Sequence, residues 1–417
     1  MTTAARLPRT KGLAGKPNNG NVERQGDKVR AHAFEGELWM IEAAIEQGLA
    51  RVAPPIETSA TLPPACYSDT AVLEAEMRTL FAHSWINVGR ADQWSSDGDY
   101  ATVELGDTPL IVVRDTRGAL RAYSNVCRHR GARLLNGKGN CRVIRCPFHR
   151  WTYGLDGRLL AAPRMEDSSF FARSDHGLIA VRVAERDGFV FVCLDDDAVT
   201  LEESLGDFSD LHAPWSLGEL VTTRRREFEV NCNWKGFLEV FNEYYHLPYV
   251  HPDTLSNLYA DPDEPTVVSG RYASQFGSTE GTGGLLESEQ DLALPTMAGL
   301  EGRNRAGVRY SWVFPNLTFA AGTDAVWVYE VYPITARKTR VVMSACFPAK
   351  TVEQPDFEAK VSHYYKRLDD AIAEDIPALE NQQAGLNSRL AQAGRYCPLL
   401  EPNVANFAFW YARQLTA

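Results

Sequence analysis

Two short segments constrain this chain more than anything else in it: Cys127-Arg-His129 and Cys146-Pro-Phe-His149. Each offers one thiolate and one imidazole. Two thiolates can hold one iron of a [2Fe–2S] centre while two neutral imidazoles hold the other. Replacing anionic ligands by neutral ones raises the reduction potential, which suits an electron relay. Pro147 lacks an N–H and fixes its own φ, so the second loop can turn sharply. Gly131, Gly137 and Gly139 give turn freedom to the first. Zinc also takes two Cys and two His, but zinc fingers usually supply them as a Cys pair and a His pair. Here each loop brings one of each, which favours iron. Cys141 fits neither spacing and is left out.

The surroundings read as β structure. Tyr100-Ala-Thr-Val-Glu-Leu, Thr108-Pro-Leu-Ile-Val-Val-Arg, Ala119-Leu-Arg-Ala-Tyr and Gly188-Phe-Val-Phe-Val-Cys-Leu are short β-branched or aromatic runs between turn signals. They predict a small antiparallel domain with the Cys/His set in its loops. Beyond about residue 222 the spacing predicts a strand over Arg226–Val230 and a helix from Trp234 to His246. A mobile glycine-rich loop is expected near 270–284, then strands over Val308–Phe314, Val326–Tyr332 and Arg340–Phe347, and a long helix over roughly 355–390. The fold class is therefore α+β, an antiparallel β domain followed by an antiparallel sheet flanked by helices. Residues 1–55 read as a loosely ordered arm plus one amphipathic helix carrying Phe34, Leu38, Ile41, Ile45 and Leu49. Pro54, Pro55, Pro63 and Pro64 form a linker, and 70–83 a further helix. The boundaries are set at 1–55, 56–200 and 201–417.

A second donor set lies in Asn233-Trp-Lys-Gly-Phe-Leu-Glu-Val-Phe-Asn-Glu-Tyr-Tyr-His-Leu-Pro-Tyr-Val-His. His246 and His251 do not share a face of a regular helix. Pro248 is placed to end or kink the helix and let His251 swing back. Two imidazoles and a carboxylate would leave iron positions open for O₂ and substrate; the plain alternative is a buried core pair. Glu243 falls one helical turn before His246. Asp369, Asp370, Glu374, Asp375 and Glu380 are the distant candidates for the carboxylate, and Pro377 is placed to bend their helix.

Cys127-Arg-His-Arg-Gly and Cys146-Pro-Phe-His-Arg-Trp-Thr-Tyr-Gly-Leu-Asp-Gly together resemble the Rieske motif of ring-hydroxylating and related Rieske oxygenases. The resemblance is specific over about 100–165 and extends less sharply from residue 60 onward; the first 55 residues have no counterpart. It implies a large catalytic subunit with a Rieske [2Fe–2S] cluster on Cys127, His129, Cys146 and His149. It also implies a mononuclear Fe(II) on His246, His251 and Asp375, the last because Glu374-Asp-Ile-Pro-Ala-Leu-Glu matches the family's C-terminal segment there. Glu243 matches a carboxylate that links the iron-site His to a Rieske His, here His149 of a neighbouring chain. Glu at that position is typical of the choline, glycine betaine and carnitine branch. Glu239 matches a family carboxylate, whereas Val240 departs from the usual Asn.

The resemblance further implies a homotrimer, possibly with a small β subunit, supplied with electrons by a ferredoxin and/or flavin reductase. The chain itself carries no flavin or nicotinamide fingerprint. Tyr310, Trp312 and Phe314, with Trp327 and Tyr329, could stack a ring or cage a quaternary ammonium, or be plain core. Glu243 tilts toward quaternary amines, and Leu247 and Val240 tilt back. The reading leans to hydroxylation of an aromatic or heteroaromatic acid, with oxidation of a quaternary ammonium or N-methyl compound as the alternative. A bare Rieske electron carrier would need only the first donor set.

A net charge of −11 excludes a nucleic-acid surface, which needs a basic face. No segment is apolar enough to cross a bilayer, and the basic N-terminus lacks an apolar stretch behind it. Cytoplasmic residence is expected. Cys66, Cys193, Cys232, Cys346 and Cys397 then read as ordinary thiols.

Overall fold

The β-branched runs after Trp85 pair into a sheet. In the computed structural model, which describes residues 45–255 and 258–416, the strands are β1 (Ile86–Arg90), β2 (Asp99–Leu105), β3 (Thr108–Arg114), β4 (Leu120–Ser124), β5 (Lys138–Asn140), β6 (Ile144–Arg145), β7 (Thr152–Tyr153), β8 (Leu159–Ala161), β9 (Ala180–Arg186) and β10 (Phe189–Cys193). Seven form an antiparallel sheet in the order β1-β10-β9-β4-β3-β2-β5, and β6-β7-β8 form a small second one. Ile111, Val113 and Tyr123 bury one face against Trp151, Tyr153 and Leu155, so the large sheet backs the loops that leave the small one.

The larger sheet uses β11 (Leu220–Val230), β12 (Tyr259–Pro262), β13 (Tyr272–Thr279), β14 (Gly307–Val313), β15 (Leu317–Ala321), β16 (Val326–Thr335) and β17 (Lys338–Pro348). Its order is β11-β17-β16-β15-β14-β13-β12, antiparallel throughout. Period-2 alternation sends two sets of side chains to opposite faces. Phe319 and Val328 pack toward Phe189 and Trp215. Trp312, Tyr329 and Phe347 face the helices α2 (Trp234–Phe241), α4 (Phe357–Leu386) and α5 (Pro402–Thr416), with Trp312 stacked on Phe407 at 4.0 Å. Between α2 and α4 lies the short α3 (Leu247–Val250); α1 (Thr70–Glu76) precedes the sheets. The segment around α1 packs on the helical layer, through Phe81 on Trp234 at 5.2 Å and a bridge between Ala60 and Arg395.

Three details differ from the sequence reading. The stretch near 270–284 is not a mobile loop: most of it is the buried strand β13. Its glycines serve close approach, since a Cβ on Gly277 would meet the Tyr244 hydroxyl at 2.6 Å and its ring at 2.8 Å, and one on Gly284 the Tyr364 ring at 2.6 Å. The helix from Trp234 does not reach His246 but ends at Phe241. There the Asn242 amide donates to Leu238 O at 2.7 Å and to Thr318 at 2.9 Å, satisfying an end carbonyl that another turn would have used. Pro248 accordingly opens α3 rather than ending a longer helix. Pro377 sits inside α4, which continues to Leu386. Most of the amphipathic helix expected over 34–49 lies outside the described residues; Ile45–Leu49 is helical.

Candidate active site

The two Cys/His loops meet. Cys127 and Cys146 are buried and unpaired by any disulfide. The His129 and His149 rings lie 4.7 Å apart, edge to face. Each loop closes on its own backbone: Gly131 N–H donates to Cys127 O at 3.0 Å, and Arg150 N–H to Cys146 O at 3.2 Å. Gly131 (φ 72°) and Arg150 (φ 61°) occupy the left-handed region, which turns each loop back after its His. His129 stacks on Trp151 at 4.8 Å. Its Nδ1 is buried with no hydrogen-bond partner among the described residues. Two buried thiols and two adjacent imidazoles, one ring nitrogen orphaned, make up the donor set a [2Fe–2S] centre takes, with thiolates on one iron and imidazoles on the other. Tyr153 Oη accepts from Arg128 N–H at 3.1 Å and lies 3.4 Å from Cys127 Sγ, within reach of a hydrogen bond to sulfur. Cys141, half-buried, stands apart at the edge of β5.

The second donor set also converges. One ligand atom each from His246, His251 and Asp375 lies within 4.8 Å of the others. Asp375 Oδ1 is 3.0 Å from His251 Nε2 and 3.6 Å from His246 Nε2, yet it is buried without a properly directed hydrogen bond to either. Three acceptor atoms aimed at one point and not at one another fit a cation. The break at Asn242 makes this possible, because it frees Glu243–His246 from helical geometry, and α3 then returns His251 toward His246. Glu243 therefore is not a helix neighbour of His246, but it still holds it. Glu243 Oε1 meets His246 Nδ1 at 2.6 Å, and Oε2 accepts from the backbone N–H groups of Tyr245 and His246. His251 is backed in the same way by Glu374, Oε2 to Nδ1 at 2.6 Å, with Thr254 donating to the same oxygen at 2.6 Å. Burial would depress the His251 imidazolium, but the carboxylates of Asp375 and Glu374 outweigh it and raise its pKa. Of the other candidate acids, Asp369 pairs with Arg224 and Arg226, Asp370 with Lys366, and Glu380 accepts from Asn231.

A narrow cavity of about 40 Å³ opens on this triad. Phe241, Tyr244, Tyr310, Trp327 and Tyr329 line it, together with Arg367 of α4. Trp312 and Phe314 do not; they are core against Phe407 and Trp410. Behind the same Glu243–His246 wall is a larger cavity of about 310 Å³ that contains Glu239. Tyr67 donates to Glu239 Oε1 at 2.6 Å, and burial pushes this carboxyl up to about 7. Sequence reasoning missed the orienting role of Glu374 and the presence of Tyr67 and Arg367. The only signal for the last was the Arg367, Ala371, Asp375 spacing along one stripe of α4.

An antiparallel β domain presenting a Cys₂His₂ set, joined to a helix-flanked sheet presenting a His₂-carboxylate set, defines a Rieske-type non-heme iron oxygenase. Residues 84–181 match the Rieske [2Fe-2S] domain, and 217–417 match the ring hydroxylating alpha subunit (catalytic domain). The chain belongs to the Rieske oxygenases, as one of their catalytic subunits. It is 30% identical over 383 residues to the glycine betaine monooxygenase oxygenase subunit of Chromohalobacter salexigens, covering 84% of this chain and 85% of that one. It is 30% identical to the chloroplastic choline monooxygenase of Arabidopsis thaliana, covering 84% and 81%. The structure of a quaternary ammonium Rieske monooxygenase superposes with a TM-score of 0.75 at 25% identity, over 88% of this chain and 98% of that one. Naphthalene 1,2-dioxygenase from Rhodococcus shares the fold, with a TM-score of 0.71 at 21% identity over 89% and 97%. Oxygenases of this family take electrons from a partner reductase or ferredoxin. No helix among the described residues is long and apolar enough to cross a membrane.

Proposed function

We propose that the chain is the oxygenase component of a monooxygenase acting on a quaternary ammonium or N-methyl compound. Cys127, His129, Cys146 and His149 would hold the cluster, within a domain spanning 56–200. His246, His251 and Asp375 would hold the mononuclear iron, within 201–417. When bound, the two centres supply electrons and O₂ activation.

The observation that carries the substrate class is the aromatic lining set directly against the triad. Phe241 meets Tyr329 at 4.4 Å and Tyr310 at 5.5 Å, and Tyr244 meets Tyr310 at 5.5 Å. Ring faces attract a cation whose charge is spread over methyl groups and poorly hydrated. The cavity's small volume suits a compact head group better than a fused ring system. Relatives that oxidise glycine betaine and choline point the same way, so support lies with the alternative of the sequence reading and not with the aromatic acid.

The protein's own groups set the stage. Glu243 and Glu374 each take the Nδ1 side of one imidazole, which turns both Nε2 lone pairs toward Asp375 and fixes the tautomer. The aromatic walls beside the triad would shield the head group from water. We extend the proposal to a homotrimer served by a ferredoxin or flavin reductase, with Glu243 at the subunit boundary.

The test supplies iron- and sulfide-loaded, chemically reduced protein with O₂ and glycine betaine, carnitine, choline or a panel of aromatic acids. Oxidation of a quaternary ammonium compound, tracked by mass spectrometry, is expected. Turnover confined to the aromatic acids would overturn the reading.

A further inference from the structure

Arg367 is 4% exposed, and its Nε and Nη2 are buried with no hydrogen-bond partner among the described residues. The other buried or half-buried arginines with partners leave only one nitrogen unpaired at most among the described residues, Nε in Arg90 and in Arg309. Arg90 donates to the carbonyls of Asp187, Leu217 and Leu220. Arg225 pairs with Glu330, and Arg309 donates to Thr266 and Ser274. Acids close to Arg367 in sequence are engaged elsewhere, Asp369 by Arg224 and Arg226 and Asp370 by Lys366. A buried guanidinium without a counter-ion is unfavourable unless something completes it.

The position of Arg367 says what that is. It lines the same narrow cavity as the triad, two turns before Asp375 on α4, about 12 Å along the helix axis. Its charge also reaches the aromatic wall: burial drives the Tyr310 and Tyr329 phenols up, and Arg367 opposes that rise. One cavity thus carries a cation-attracting aromatic lining beside the triad and an uncompensated cation further along α4.

We propose that Arg367 anchors a carboxylate of the substrate. Resting on the quaternary ammonium reading above, this makes the substrate a zwitterion, a trimethylammonium compound with a carboxylate at its other end. A guanidinium fork matches a carboxylate with two parallel charge-assisted hydrogen bonds. The same charge repels a substrate that is only a cation, so the site selects against choline as well as for betaines.

The test compares binding by anaerobic calorimetry to the fully loaded protein, using glycine betaine and carnitine against choline and the methyl esters of both acids. The free acids are expected to bind about 10- to 100-fold more tightly than the esters, the range of a charge-assisted pair. Arg367→Gln should abolish that preference and Arg367→Lys should keep part of it, with cluster absorbance unchanged and the melting temperature of substrate-free Arg367→Gln no lower than that of the unaltered protein. If Arg367→Gln fails to fold, the acid-to-ester ratio of the unaltered protein still decides. Equal affinity for acids and esters, or an unchanged preference in Arg367→Gln, would overturn the assignment. Betaines and choline bound equally would leave the functional reading standing without this anchor. Aromatic acids bound with the same ester sensitivity, and no betaine bound, would keep the anchor and remove the functional reading.

Discussion

Glu374 and His251, far apart in the chain, meet at 2.6 Å between Oε2 and Nδ1, and the Thr254 hydroxyl donates to the same oxygen. Adjacent in sequence, Glu374 and Asp375 thus address the two nitrogens of one imidazole. Groups that orient a ligand from behind commonly contribute 10- to 100-fold in metal affinity. Glu374→Gln is therefore expected to weaken iron binding at the His246–His251–Asp375 site by about 10- to 100-fold. Iron titration followed by elemental analysis reads this directly. Cluster absorbance should not change, because Glu374 touches neither Cys/His loop.

The buried ion pair between Glu76 and Lys235 joins α1 to α2. Both side chains are fully buried, 2.5 Å apart, and the Glu76 carboxylate also accepts from Trp234 Nε1 at 2.8 Å and Tyr411 Oη at 2.5 Å. Glu76→Ala strands the ammonium among Tyr67, Trp234 and Tyr411, whose rings lie 4.8 to 5.3 Å from Nζ. Removing one partner of such a pair costs about 3–5 kcal/mol, since the other stays buried and uncompensated. Chemical denaturation should show that loss. The double variant Glu76→Leu, Lys235→Met should recover only part of it, because the buried Trp234 Nε1 and Tyr411 Oη then lack their acceptor.

Legibility from sequence followed how local each signal was. The four Cys/His donors and the His246–His251 pair stand in contiguous motifs whose residue types already imply metal chemistry. Asp375 did not stand out on its own; α4 carries acids on several faces, and only the resemblance singled one out. Glu374 and Arg367 were harder still, because their roles depend on what the sheet brings against the helix. The spacing predicts a helix from Trp234 to His246, while the interruption after Phe241 is one Asn242 amide bonding across to Thr318. Glycine density near 270–284 suggested freedom, although at Gly277 and Gly284 the missing Cβ makes room for a tyrosine ring.

Glu239 gives the protein a pH dependence whose sign follows from its environment. Burial is the largest influence and raises its pKa from 4.5 to about 7; Tyr67 and Lys235 oppose the rise, and Glu401 and Glu243 add to it. With a folded pKa above the unfolded one, the native state binds more protons between those values, so stability falls as pH rises from about 4.5 to 7. Above 7 the penalty is complete. Glu239 is half-buried and lines a cavity, so solvent screens part of it. Glu239→Gln should therefore stabilise the protein at pH 8 by about 1–3 kcal/mol and leave it nearly unchanged at pH 4.5. Thermal unfolding at the two pH values checks this, and a larger gain at the lower one would contradict it.

Tyr153 sets the last prediction. Its hydroxyl oxygen is taken by Arg128 N–H at 3.1 Å, which leaves its proton for Cys127 Sγ at 3.4 Å. A hydrogen bond to a cluster thiolate stabilises the reduced state, which carries one more negative charge, more than the oxidised one. Tyr153→Phe removes that donor and keeps the ring packed among Ile111, Cys127 and Trp151. At about 1 kcal/mol of differential hydrogen bonding, the potential of the loaded protein should fall by roughly 40 mV. Protein-film voltammetry measures the shift. Arg128 N–H loses its acceptor in the same variant but lies in an exposed loop where water replaces it, so unfolding stability should move far less than the potential. An unchanged potential alongside a large stability loss would mean that Tyr153 holds the loop and does not tune the sulfur.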